Sequence, residues 1–92
     1  MKLKEGYVVK DIVGNIVVIP IGQVLMDGGK NIRLNSEGAF FIRHIVAGKT
    51  EEEILNLYSE LFSEDLDTAK EELDGFIEYG VSCGFLEDRN GV

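Results

Sequence analysis

The spacing of the apolar residues changes once along the chain, close to Leu34. Before that point they form short runs rich in β-branched side chains, Tyr7–Val9 with Ile12–Val13 and then Ile16–Ile21, which are typical of strands. Gly14-Asn15 stands between these runs and predicts a two-residue turn of the Gly-first type. The first two strands are therefore expected to form a tight hairpin.

A third run follows another set of turn residues. Asp27-Gly28-Gly29 separates Val24–Met26 from Lys30–Leu34, and such residues favour turns because they tolerate positive φ. Pro20 has no N–H to donate, so the second strand is expected to bend or end there. These patterns predict a small three-stranded antiparallel sheet over about residues 5–34.

From Asn35 onward the apolar residues follow helical spacing. Asn35-Ser36 supplies an N-cap, and Gly48 predicts the end of this first helix. Thr50 and Glu53 have the spacing of a capping box, in which each side chain accepts a hydrogen bond from a free backbone N–H. A second helix is therefore expected to begin directly after Thr50.

Asp67 is expected to cap a third helix, whose apolar stripe includes Leu73, Phe76 and Ile77. Gly84 predicts the end of this helix, so the helices cover about residues 36–84. The expected fold class is α+β, with a small three-stranded antiparallel sheet followed by three helices. We expect a single domain over residues 1–92, because a chain of this length has room for one core.

The charge of the chain limits its partners. The net charge is −8, and residues 50–92 hold thirteen acidic residues against Lys70 and Arg89, whereas residues 1–49 hold seven basic and four acidic residues. Nucleic-acid binding requires clustered cations that displace counterions from the phosphates. We therefore expect the second half to prefer basic or neutral partners, and we expect no nucleic acid and no membrane among them.

Residues that carry catalysis or bind metals are scarce. His44 is expected to be a partly exposed imidazole and Cys83 a small buried hydrophobe, so neither a Cys/His zinc site nor a catalytic triad is expected. The glycines match no phosphate-binding motif. We therefore expect no enzymatic activity, no cofactor and no metal. The lack of an apolar signal segment and of a second cysteine predicts a cytoplasmic location.

Several segments, taken in order, resemble PqqD-like proteins. The resemblance covers about residues 5–87, and it is carried by Val18–Gly22, Leu34–Phe41, Gly48–Ile54, Leu66-Asp67 and Gly84–Leu86. The chain departs from the family at Gly75, Gly80 and Ser82, where the family commonly has longer side chains that favour helix formation.

The resemblance implies a RiPP recognition element, a winged-helix-like domain that binds the leader of a ribosomally synthesised precursor peptide in RiPP or PQQ-type biosynthesis. The leader adds as a strand beside the third strand, packs against the third helix, and is presented to a separate enzyme such as a radical SAM enzyme or a leader peptidase. By position, the resemblance implies these peptide-binding residues: Lys30, Asn31, Ile32, Arg33 and Leu34 on the third strand, and Lys70, Asp74, Ile77, Glu78 and Val81 on the third helix.

Ordinary roles remain open for these residues. The aliphatic ones fit a core, the acidic ones fit a solvated helix face, and the basic strand residues fit an edge that resists aggregation. The alternative function is a winged-helix DNA-binding regulator, whose recognition helix would carry Glu71, Glu72, Asp74 and Glu78. A subunit that only stabilises a partner enzyme is a third interpretation. An open strand edge is compatible with a monomer or a strand-mediated dimer.

Overall fold

A sheet formed by the first third of the chain packs against helices formed by the remainder. The computed structural model describes residues 1–89. The elements in chain order are β1 (Tyr7–Ile12), β2 (Asn15–Pro20), α1 (Gly22–Met26), β3 (Ile32–Arg33), α2 (Ser36–Val46), α3 (Glu51–Phe62) and α4 (Leu66–Cys83). Over the described residues the sheet is antiparallel with order β1-β2-β3, which confirms the predicted α+β class. The predicted domain extends to residue 92, and its last three residues lie outside the described ones.

The hairpin turn lies one residue earlier than predicted. Ile12 pairs with Asn15, so the two turn residues are Val13 and Gly14 rather than Gly14 and Asn15. Val13 has φ 52° and Gly14 has φ 82°, and positive φ at both central residues is the pattern of a type I′ turn, which matches the twist of the two strands. A turn at Gly14-Asn15 would instead have paired Val13 with Ile16, which shifts the register of β1 against β2 by two residues.

The segment between β2 and β3 contains a short helix that the apolar pattern did not predict. Val24–Met26 lie in α1, and the N–H of Gly29 donates to the carbonyl oxygen of Val24 at 2.9 Å to close the turn that follows. Five residues are too few to show helical periodicity. The third strand is also shorter than the predicted Lys30–Leu34, because only Ile32 and Arg33 lie in the ladder. β2 ends at Pro20, as predicted.

Local capping interactions fix where α2 and α3 begin. The Asn35 side chain accepts a hydrogen bond from the N–H of Gly38 at 2.8 Å, which starts α2. Thr50 and Glu53 form both hydrogen bonds of a capping box, which starts α3. Because each cap satisfies N–H groups that have no partner within the helix, the predicted starts of these two helices are confirmed.

The longest helix, α4, begins before the predicted cap. Asp65, not Asp67, is the N-cap residue, and its carboxylate accepts a hydrogen bond from the N–H of Thr68 at 2.7 Å. Asp67 lies in the first turn, where its negative charge interacts favourably with the positive end of the helix dipole. Gly84 has φ 89° and ends α4, as predicted.

The chain after α4 folds back into the core and pairs with the N-terminus. Phe85 and Leu86 are fully buried, and the N–H of Lys4 donates to the carbonyl oxygen of Phe85 at 2.9 Å. Cys83 is exposed, so the prediction that it is a buried hydrophobe is wrong, because its place in the last turn of α4 directs it away from the core. Within residues 1–89, no helix is both long and apolar enough to cross a membrane.

Candidate functional site

The outer edge of β3 presents backbone groups that face away from the sheet. Val18 pairs with Ile32, Val17 pairs with Arg33, and the N–H of Leu34 donates to Ile16 O at 2.9 Å. In an antiparallel pair, the backbone groups of successive residues point alternately toward and away from the partner strand. Ile32 and Leu34 therefore form hydrogen bonds with β2, whereas the N–H and C=O of Arg33 point outward. In the described part of the chain no strand lies on that side.

The other edge of the sheet, β1, is open in the same way. The N–H of Ile21 donates to the carbonyl oxygen of Gly6 at 2.8 Å, and the register of the hairpin then directs the backbone groups of Tyr7, Val9 and Asp11 outward. The sheet therefore offers two edges at which an extended chain could pair. What distinguishes them is the surface beside each edge.

A groove lies beside β3, between the end of this strand, the start of α2 and one face of α4. We call it the β3–α4 groove; its volume is about 430 Å³, within the range typical of ligand sites. Its floor includes Phe41 and Phe76, which are 1% and 9% exposed and have ring centroids 5.6 Å apart. The full lining is Arg33, Leu34, Asn35, Glu37, Gly38, Phe41, Glu71, Glu72, Gly75, Phe76 and Tyr79.

The rim of the β3–α4 groove is negatively charged. Glu37, Glu71 and Glu72 line it against one cation, Arg33, and within residues 1–89 none of these four residues takes part in an ion pair. Burial raises the pKa of Tyr58, and the charges of Glu72 and Glu37 raise it further. The electrostatic environment of the groove therefore favours cationic or neutral occupants over anionic ones.

The strand residues that the resemblance implied lie at different depths. Ile32 and Leu34 are partly buried and pack against the core. Lys30, Asn31 and Arg33 are exposed. Of the five residues, Arg33 and Leu34 line the β3–α4 groove, whereas Lys30 and Asn31 precede the paired part of β3.

The implied helix residues occupy the neighbouring face of α4. Lys70 lies 3.7 Å from the Glu51 carboxylate and 3.9 Å from that of Asp74, and Arg89 joins the same ion-pair network. A second groove, on this side, is lined by Asp74, Ile77, Glu78, Val81, Ser82, Asp88 and Arg89. Ile77 is 6% exposed and belongs to the core.

The implied helix stripe therefore lies outside the lining of the β3–α4 groove. The face of α4 that meets the β3–α4 groove carries Glu71, Glu72, Gly75, Phe76 and Tyr79, and none of these residues is among those that the resemblance implied. Both stripes have helical spacing, so spacing alone does not identify which of them faces the strand. The signal in the sequence that distinguishes this face is a glycine in the middle of the helix, Gly75, close to two aromatic residues, Phe76 and Tyr79.

His44 and the acidic residues form no metal site in the described residues. The His44 ring lies 4.4 Å from the ring of Phe40, outside the groove lining. Partial burial lowers the pKa of His44, and the charges of Lys49 and Arg43 lower it further. This imidazole is therefore mostly neutral near pH 7 and takes no part in the groove.

Comparison with known proteins supports the fold. No protein-family model matches the chain, and no curated protein matches its sequence. A solved structure described as TbiB1 in complex with the TbiA(beta) leader peptide is similar, with 23% sequence identity, a TM-score of 0.81 and 95% of each chain covered. The sheet-and-helix fold expected from the resemblance is thereby confirmed.

Proposed function

We propose that this chain is a non-catalytic adaptor that binds the leader of a ribosomally synthesised precursor peptide and presents it to a separate modifying enzyme. The observation that carries the proposal is the outward-facing backbone of Arg33 at the border of an apolar groove. TbiB1, which shares the fold, was solved with a leader peptide. The enzyme partner is a maturase of the radical SAM or leader-peptidase kind, as in RiPP or PQQ-type biosynthesis.

Strand addition explains how the leader binds. The outward backbone groups recur every second residue, so Asn31 and Arg33 present donors and acceptors about 6.6 Å apart. An extended peptide that pairs with these groups continues the sheet as a fourth strand, with alternate side chains directed toward the groove. The strand residues Lys30–Leu34 therefore form one wall of the proposed site.

Backbone pairing alone is too weak to hold a peptide. Ordering each residue costs about 1–2 kcal/mol, whereas each hydrogen bond contributes a net of about 0.5–1.5 kcal/mol. Burial of an apolar side chain contributes roughly 1.5–3 kcal/mol, so two or three such side chains are needed for a micromolar complex near −8 kcal/mol. Leu34, Phe76 and the exposed ring of Tyr79 provide the apolar surface for this burial.

The helix wall of the proposed site consists of Glu71, Glu72, Gly75, Phe76 and Tyr79. The stripe that the resemblance implied, Lys70, Asp74, Ile77, Glu78 and Val81, lies outside the β3–α4 groove, and all of these residues except Lys70 line the second groove. The helix wall also argues against DNA binding. In a winged-helix regulator α4 would be the recognition helix and would lie against DNA, but this helix presents carboxylates, which phosphates repel.

Calorimetric titration tests the proposal. Synthetic leaders, one for each short open reading frame beside the gene for this chain, are titrated into the purified protein. We expect one leader to bind with a micromolar Kd and 1:1 stoichiometry, and random duplex DNA at low salt to give no electrophoretic shift. The proposal is wrong if no leader releases or absorbs heat at high micromolar concentration, or if the duplex binds more tightly than every leader.

A further inference from the structure

Gly75 lies in the interior of α4, where a glycine lowers helix stability. It is exposed, and a Cβ built at this position would contact no neighbouring element of the described chain within 4 Å. Gly80, in the same helix, is different, because a Cβ there would overlap the Leu86 side chain. Packing within the described chain therefore explains the glycine at position 80 but not the one at position 75.

The missing side chain at Gly75 opens the β3–α4 groove. Glu71, Gly75 and Tyr79 are four residues apart and lie in one row along the helix, so the glycine leaves a gap between a carboxylate and a phenol. We call this gap the notch. The ring of Phe76 lies beside it, on the groove floor.

The opposite wall of the groove packs closely against the edge of the same ring. Gly38 lines this wall, and a Cβ at Gly38 would lie 3.2 Å from Cε1 of Phe76. The floor ring is therefore bordered by a glycine on both sides. A large apolar side chain that enters from the strand edge can reach the ring without displacing any side chain at these two positions.

We infer that the notch selects the leader by its anchor residue, an inference that rests on the proposed function. The leader that docks here carries a large apolar side chain, aromatic or branched aliphatic, which enters the notch and packs on Phe76. A lysine or arginine two residues away lies against Glu71 and Glu72.

The spacing of Glu71 and Gly75 along α4 supports this arrangement. The rise from Glu71 to Gly75 along α4 is about 6 Å, close to the roughly 6.6 Å between alternate residues of an extended strand. A leader strand that runs along α4 thus places two side chains of the same face at the notch and at the acidic rim. The carboxylates of Glu71 and Glu72, which have no ion-pair partner within residues 1–89, are complementary in charge to a cation at the second position.

Selection of displayed peptides tests the inference. A library of random 12-residue peptides is selected on the wild-type protein, on Gly75→Leu, and on Ser82→Leu, which adds the same side chain to α4 at an exposed position outside the β3–α4 groove. We expect wild-type and Ser82→Leu to enrich peptides with a large apolar residue two positions from a lysine or arginine. Gly75→Leu should enrich peptides with a small residue at the anchor position.

Gly75→Ala provides a second test, because this substitution should raise the thermal stability of the protein and lower its affinity for peptides. Alanine should raise Tm by about 4–8 °C, because it favours the helix and meets no obstacle. The affinity for peptides selected on the wild type should fall about tenfold. Peptides that bind through Arg33 but show no shared apolar anchor, or that bind Gly75→Ala as tightly as the wild type, would overturn the inference and leave the proposed function standing. If no peptide is enriched on the wild type, the proposed function itself fails.

Discussion

The Cα of Gly80 lies directly against the side chain of Leu86, so that a Cβ at position 80 would be 2.6 Å from Cγ of Leu86. The N–H of Leu86 also donates to the carbonyl oxygen of Gly80 at 3.2 Å. Leu86 is fully buried, and this close contact holds the returning tail against α4.

Gly80→Ala should lower the free energy of unfolding by about 1–3 kcal/mol. The added methyl group overpacks the contact with Leu86, and the cost of overpacking exceeds the gain in helix propensity. Urea denaturation measures the change. Gly75→Ala is the matched control in the same helix and should stabilise the protein instead. Equal stabilisation by the two substitutions would show that the tail does not pack as described.

Val13→Asn should stabilise the protein by about 1 kcal/mol. Val13 is 96% exposed and has φ 52°, a conformation that β-branched residues disfavour and asparagine tolerates. Asn-Gly is also the preferred pair for a type I′ turn. Thermal unfolding measures the effect, with Val13→Thr as a β-branched control that should give no gain. A stabilisation of the same size by threonine would refute the explanation from turn geometry.

Stability should decrease when the pH falls below the ordinary pKa values of Glu and Asp, about 4.3 and 3.9. Hydrogen bonds from the backbone and side chain of Thr50 lower the pKa of Glu53, and those from Thr68 lower the pKa of Asp65. In this window the unfolded chain binds protons that the folded chain does not, so the stabilisation by these carboxylates is present above it and is lost as the pH falls through the folded-state pKa values.

The pH dependence can be assigned to the caps by substitution. In the double variant Glu53→Gln with Asp65→Asn, both side chains still accept hydrogen bonds but no longer titrate. The decrease in Tm between pH 6 and pH 3 should therefore be smaller in the variant than in the wild type. An identical decrease in the two proteins would assign the acid sensitivity to other carboxylates.

Reversing the charge of the groove rim should weaken the binding of a cationic leader. Glu71→Lys with Glu72→Lys should raise the Kd by at least tenfold at low salt, and the difference should shrink as salt screens the charges. Glu52→Lys with Glu60→Lys makes the same change in net charge on exposed positions of α3, outside the groove, and should leave Kd within about twofold. Equal effects of the two double variants would indicate that only net charge matters.

The sequence predicted correctly where α2 and α3 begin, because contacts within a single turn determine these starts. Asn35 and the pair of Thr50 and Glu53 start helices through contacts within one turn, so their spacing in the sequence was sufficient. The hairpin was placed one residue late, because Gly14 allows more than one turn and the register depends on the strands that flank it. The five-residue α1 shows no periodicity and was missed.

Of the residues that the resemblance implied, the strand residues Arg33 and Leu34 lie in the β3–α4 groove and the helix residues do not. Arg33 and Leu34 line the groove because they sit at the end of an edge strand, which the chain order already indicated. Which face of α4 borders the groove depends on how the whole helix packs on the core, and the helical spacing of its residues does not reveal this. Residues 70, 74, 77, 78 and 81 were therefore selected in place of the neighbouring face.

In the proposed complex, the peptide forms hydrogen bonds with the outward-facing N–H and C=O of Arg33. Arg33→Pro removes that N–H without removing a bond to β2, because proline is tolerated on an edge strand whose N–H faces solvent. Arg33→Ala controls for the lost side chain. Val9→Pro makes the same backbone change on the outer edge of β1.

The most direct measurement is the Kd of the tightest-binding leader for these three variants, each first shown to unfold cooperatively. We expect Arg33→Pro to raise Kd about tenfold relative to Arg33→Ala, which corresponds to the loss of one hydrogen bond and to the bulk of the ring at the pairing edge. Val9→Pro should bind as the wild type does. Equal affinities for Arg33→Pro and Arg33→Ala, or a loss confined to Val9→Pro, would contradict strand addition at β3.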